Sequence, residues 1–213
     1  MNARLVSVNV TAEVIDVDGS PTGIDKRSVR YPVEILPDAV SGDRVLDRKH
    51  HGGPDKAVYA YASEDAHWWS GLIGATVEHG RFGENLTTAG LDISNAVIGE
   101  RWHIGGVVLE VAQPRIPCRT FAGFWDREAL VREFTVAARP GAYLRVVQTG
   151  SVAAGDAIEV MDVPEHGVTV AEAFRARTGE RSLVPLLLRA KALPESWQVW
   201  ARSVLGEGHG QGS

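Results

Sequence analysis

One cysteine in 213 residues excludes a good deal of chemistry. Cys118 alone cannot close an intramolecular disulfide, nor supply the four thiolates that an iron–sulfur cluster usually takes. Charge of one sign is scarce in blocks: 22 Lys and Arg stand against 27 Asp and Glu, for a formal net charge of −5. A dedicated binder of nucleic-acid backbones is therefore not expected. No apolar run approaches the ~18 residues that cross a bilayer. The stretch from Met1 to Val17 is broken by Asn9, Thr11 and Glu13, unlike the uninterrupted centre of a secretory signal. Also missing are a Gly-x-x-x-x-Gly-Lys phosphate loop, a dinucleotide glycine fingerprint and a His-Glu-x-x-His zinc pair; His67, His79, His103, His166 and His209 are scattered. The chain reads as cytoplasmic, with no membrane segment and no nucleic-acid partner. Its 44% hydrophobic and 23% charged residues suit one substantial core plus a small appendage.

What is present is a series of short β-prone runs. Leu5–Val10 alternates with period two and Ala12–Val17 continues it; Val33–Ile35 and Ala57–Tyr61 are further strands. Arg101–Ile104 and Val107–Ala112 flank Gly105-Gly106, a tight hairpin connection. Tyr143–Gln148 and Ala157–Met161 read as a second late hairpin. Such spacing favours a barrel or sandwich. Two helices interrupt the strands: Ser63 to about Ile73, with Ser63 as N-cap, and Asp126–Ala137. After Met161, Thr169 and Glu172 form a capping box, a second helix runs over Ser182–Leu193, and Pro194 opens a third. In that third helix Trp197, Trp200, Ala201, Val204 and Leu205 share one apolar face. The reading is thus a mainly β domain over 1–163, a three-helix appendage over 164–206 and a disordered Gly-rich tail over 207–213. Trp68, Trp69, Trp102 and Trp125 read as core or pocket-wall residues.

Three segments carry candidate chemistry. In Gln113-Pro114-Arg115-Ile116-Pro117-Cys118-Arg119, two prolines stiffen the approach to the thiol and two arginines favour its thiolate, the nucleophile and metal ligand. A reactive thiolate and a small buried hydrophobe both fit this setting. In Lys49-His50-His51-Gly52-Gly53-Pro54-Asp55-Lys56, adjacent glycines expose backbone N–H groups beside two lysines, which suits a phosphate and equally a polar turn. In Phe82-Gly83-Glu84-Asn85-Leu86, Glu84 and Asn85 could present a carboxylate and an amide to a cleft, or cap a surface turn.

Together and in this order, the three segments resemble the MOSC domain, named for the C-terminal domain of molybdenum-cofactor sulfurases. The resemblance is strongest to its stand-alone bacterial branch with a C-terminal three-helix domain, associated with resistance to N-hydroxylated base analogues. It implies a β-barrel-like fold holding a molybdenum–pyranopterin cofactor, with Cys118 as thiolate ligand to the metal. The cofactor's phosphate then becomes the target for Lys49, His51, Gly52, Gly53, Asp55 and Lys56; Arg115 serves either that phosphate or the thiolate. The implied reaction reduces hydroxylaminopurines, amidoximes or hydroxamic acids to the N–H form. Cys118, Glu84 as proton donor and Asn85 as substrate anchor are its catalytic residues. No flavin, nicotinamide or iron–sulfur motif is present, so electrons come from a separate flavoprotein or ferredoxin-type reductase. The three helices are that partner's docking surface, or pack on the barrel or a second subunit of a homodimer. Two other readings stand beside this one: a non-catalytic carrier of cofactor or sulfur on Cys118, and a metal-free thiol enzyme.

Overall fold

The computed structural model describes residues 2–47 and 52–206; the expected tail lies outside them. Among the described residues thirteen strands run in chain order: β1 Arg4–Thr11, β2 Ile15–Val17, β3 Ser20–Thr22, β4 Lys26–Val29, β5 Val33–Leu36, β6 Ala39–Val40, β7 Val58–Ala62, β8 Leu86–Ala89, β9 Arg101–Ile104, β10 Val107–Pro114, β11 Ala142–Gln148, β12 Gly150–Val152 and β13 Ile158–Met161. Eight form one sheet, ordered β13-β9-β10-β11-β7-β8-β1-β4, antiparallel except for the β7–β8 pair. The fold is mainly β, as expected, but the barrel is a correction. The ladder ends at β13 and β4, because the C-terminal half of β1 pairs with β4. Only the start of β1 reaches the far edge, through the Arg4–Ala157 bridge and a 2.9 Å bond from Ile158 N–H to the Ala3 carbonyl.

The Gly105-Gly106 hairpin forms, with Val107 opposite Ile104 and positive φ at Gly105. The second late hairpin does not. Both edges of β11 are taken by β10 and β7, so β13 pairs with the free edge of β9 while β12 crosses to β5. Between Ala12 and Val17 only β2 is strand, paired with β3.

Helix α1 spans Ser63–Ile73, with Ala62 rather than Ser63 as its unbonded N-cap. The expected Asp126–Ala137 helix starts only at Leu130, as α3 (Leu130–Ala137); a separate short helix that was not expected, α2 (Arg119–Phe124), precedes it, and Asp126 with φ 48° lies in the turn between them. Helix α4 (Val170–Thr178) opens with both capping-box bonds between Thr169 and Glu172. The Ser182–Leu193 helix shrinks to α5 (Val184–Leu187): beyond it Leu188, Arg189 and Ala190 donate to carbonyls three residues back. The Leu187 and Ala190 carbonyls, which take such short-range backbone bonds, also accept from the buried Gln198 Nε2, at 3.0 and 2.8 Å. Gln198 lies on α6 (Glu195–Leu205), whose buried face is Trp197, Gln198 and Ala201, while Val204 and Leu205 are exposed.

Two apolar clusters hold the elements together. In one, Trp102, Leu109 and Leu144 of the sheet pack with Val170, Ala173, Leu187 and Trp197, so the C-terminal helices share the sheet's core. The other is aromatic: Trp69 stacks on Phe134 at 5.6 Å, and Phe82 meets Tyr61 and Phe121 edge-on at 5.0 and 5.2 Å. Such tilted pairs add to area burial and fix ring orientation. The second cluster seats α2 and so positions the residue that precedes it, Cys118. Trp68, expected inside, is 42% exposed under the Arg139 guanidinium.

Candidate active site

Strand β10 ends at Pro114, and after three intervening residues the chain enters α2 with half-buried Cys118 as extended N-cap. Arg115 is folded inward, only 4% exposed, with its guanidinium 4.9 Å from the Phe121 ring and 5.4 Å from that of Tyr59. It hydrogen-bonds the Cys118 side chain. Burial opposes its charge, yet Tyr143, Tyr59 and Cys118 together hold it above the usual guanidinium range. One of its donors, Nη1, is buried with no partner among the described residues. An unsatisfied buried donor is costly, and a charged one more so.

Cys118 and Arg115 face a cleft of about 900 Å³, open mouth included, whose lining also holds Lys26, Asp43, Lys56, Tyr59, Asn85 and Tyr143. Its floor is a hydrogen-bonded polar group. The Asp43 carboxylate accepts from Thr11 Oγ1 at 2.7 Å, Thr11 N–H at 3.1 Å, Asn85 Nδ2 at 2.9 Å and the Lys26 ammonium. Burial alone would raise Asp43; Lys26 and these donors hold it below the ordinary carboxylate value. Lys26 is lowered because burial outweighs its pairing with Asp43. The rings of Tyr59 and Tyr143 pack at 5.1 Å, and the Tyr59 hydroxyl donates to the Pro140 carbonyl at 2.8 Å.

The site residues expected from sequence divide. Cys118, Arg115, Asn85 and Lys56 come together in the lining. The Asn85 amide is engaged as a tie between strands: Oδ1 accepts from Tyr59 N–H at 3.1 Å and Nδ2 reaches Asp43. Glu84 is not in the lining. It is 2% exposed, and its carboxylate accepts from Gly80 N–H at 2.6 Å, Phe82 N–H at 3.0 Å and Thr87 Oγ1 at 2.9 Å. Burial holds it above the usual carboxylate range despite those donors. Asp55 likewise lies outside the lining, its carboxylate paired with Arg145, which also reaches Glu110. Gly53 has φ 91° with open space where a Cβ would stand, at the start of the Pro54–Lys56 turn; Gly52 is half-buried beside it. Lys49 and His51 lie outside the described residues. Arg119 is exposed and outside the lining. Lys26, Asp43, Tyr59 and Tyr143 escape sequence reasoning, because nothing local to Lys26 or Asp43 marks two charges that meet only on folding.

The profile of the MOSC domain matches residues 47–159. The chain is 32% identical over 192 residues to the uncharacterized protein YflK of Bacillus subtilis, covering 88% of this chain and 87% of that one. It is 30% identical over 159 residues to protein YiiM of Escherichia coli, covering 73% and 70%. The crystal structure of YiiM from Geobacillus stearothermophilus superposes with a TM-score of 0.80 at 26% identity, over 95% of this chain and 99% of that chain. With a thiol, a buried guanidinium and two lysines gathered in one cleft within and beside the matched region, this chain belongs to the MOSC domain family.

Proposed function

We propose that the cleft binds a molybdenum–pyranopterin cofactor and that the protein reduces N-hydroxylated compounds to the N–H form. The observation that carries this reading is the buried Nη1 of Arg115 beside the Cys118 thiol, without a partner among the described residues. A guanidinium committed to the interior calls for an anion, and a polarizable thiolate suits a metal with sulfur donors. The residues present fit that group: Cys118 would take the metal, and Arg115 and Lys56 the anionic part. When bound, the cofactor supplies two-electron chemistry that accepts the substrate oxygen.

The overall change is R–NH–OH plus two electrons and two protons giving R–NH₂ and water, with the N–O bond broken. The chain's own residues orient and protonate. Tyr59 and Tyr143 form an apolar wall against which a flat base or aryl amidoxime stacks. Lys26 Nζ holds a proton that burial makes easier to release, and Asp43 keeps that ammonium pointed along the floor. Glu84, outside the lining, braces the Gly80–Thr87 turn instead. The electrons come from a separate reductase.

The test is turnover of benzamidoxime by protein from a cofactor-producing host, with reduced methyl viologen as donor. Benzamidine formation that is lost in Cys118→Ala is the expected result. Molybdenum bound with no turnover on amidoxime or hydroxylaminopurine would overturn it in favour of a cofactor carrier.

A further inference from the structure

We propose that the C-terminal helices carry the docking surface for the electron donor, an acidic redox protein whose carboxylates meet Arg177 and Arg181 around Trp200. This rests on the reductase reading, which requires two electrons from outside the chain. The charge distribution is uneven. Residues 170–206 contain six Arg and Lys against three Glu, a net of +3, so the remainder of a chain at −5 carries −8. A negatively charged donor is repelled by most of this molecule and drawn to one segment of it.

Within that segment two cations are held on one ring. The Arg177 guanidinium lies 4.3 Å from the Trp200 centroid and 6.0 Å from that of Trp197, and Arg181 approaches Trp200 from 5.5 Å. Both arginines are exposed. Burial and then the neighbouring Arg181 charge hold Arg177 below its usual range, with no carboxylate among the causes. Glu180, on the same helical segment, faces Arg175 at 3.6 Å. Arg189, Lys191 and Arg202 are exposed on the same helical segment. Like charges pinned on one indole repel, and an incoming carboxylate relieves that repulsion.

The platform is also wired to the cleft. Beneath it, Trp197 Nε1–H donates to Gln113 Oε1 at 2.7 Å, and Gln113 Nε2 donates to the Asp55 carbonyl at 3.1 Å. Asp55 adjoins Lys56 in the cleft lining, and Gln113 lies on the strand that leads to Cys118. A donor seated on Trp200 is thus separated from the cleft loop by one indole and one amide. A small set of interleaved charges suits a protein's carboxylates better than a polyphosphate backbone, which wants a continuous basic stripe.

The test uses the cofactor-loaded full chain and the double charge reversal Arg177→Glu/Arg181→Glu. With a reduced flavodoxin as protein donor, kcat/KM for the donor falls about tenfold or more, and its decline with added salt flattens. Viologen-driven turnover, molybdenum content and unfolding midpoint stay at wild-type values. Arg177→Lys/Arg181→Lys retains most of the flavodoxin rate. An unchanged flavodoxin KM in the reversal variant would overturn the docking surface, as would loss of affinity for a single-stranded oligonucleotide with flavodoxin binding intact. If wild-type protein shows no viologen turnover, the reductase reading fails; salt-dependent flavodoxin binding that the reversal abolishes would still stand as evidence for the surface.

Discussion

Replacing Glu84 separates a proton donor from a structural brace. Its carboxylate is buried and accepts three donors: Gly80 N–H, Phe82 N–H and Thr87 Oγ1. In Glu84→Ala those donors lose their acceptor in a region closed to solvent, at roughly 1–3 kcal/mol each. Against this stands relief of the carboxylate's own burial penalty, visible in its raised pKa. The net loss works out at about 2–5 kcal/mol, a large share of the ~5–15 kcal/mol of a typical domain. For a chain of this size that is a fall in Tm on the order of 10 °C. Glu84→Gln keeps one acceptor oxygen but turns an NH₂ toward a donor, and falls between. Thermal and urea unfolding measure the loss, and turnover per bound molybdenum, taken below the midpoint, measures the chemistry. Lost stability with turnover per metal within about threefold of wild type is the expected result. Unchanged stability with turnover down a hundredfold would refute the brace and return Glu84 to the reaction.

Two further outcomes follow from the same hydrogen-bond network. Trp197→Phe leaves the buried Gln113 Oε1 without its donor, lowering stability by roughly 1–2 kcal/mol, and it frees the amide that holds the Asp55 carbonyl. Unfolding midpoints should fall and molybdenum should be lost faster on dilution; an unaltered loss rate would argue against the coupling. Asp43, held below its ordinary value of 3.8, contributes stability that is present above that pH and lost as pH falls through its folded value. Wild-type urea midpoints should therefore drop as pH goes below 3.8, and Asp43→Asn should show a weaker drop from a lower neutral-pH value.

The β character, the first hairpin and the capping box are legible because each rests on neighbours in sequence: alternation, paired glycines, Thr169 three residues before Glu172. The second hairpin was not, since β13 chooses β9 only when the edges of β11 are already filled. Helix lengths failed for a similar reason. Asp126 takes a positive φ that delays α3 to Leu130, and the Leu187–Ala190 turn departs from helical geometry where a distant group, the Gln198 amide, bonds its carbonyls. At the site, the Cys118 motif reads directly because its prolines and arginine are local. Glu84 and Asn85 show the limit: they are adjacent in sequence, yet only Asn85 lines the cleft. Lys26 and Asp43 carry no local mark, and pair across 17 positions only on folding.

The central claim is that Cys118 holds the metal of a cofactor seated against Arg115. Wild-type protein and Cys118→Ala, purified in parallel from a cofactor-producing host, should be assayed for molybdenum and pterin per chain, with unfolding midpoints as a control for folding. The account predicts near-stoichiometric metal in wild type and severe loss in the variant at a similar midpoint. Full metal occupancy without the thiol would contradict it.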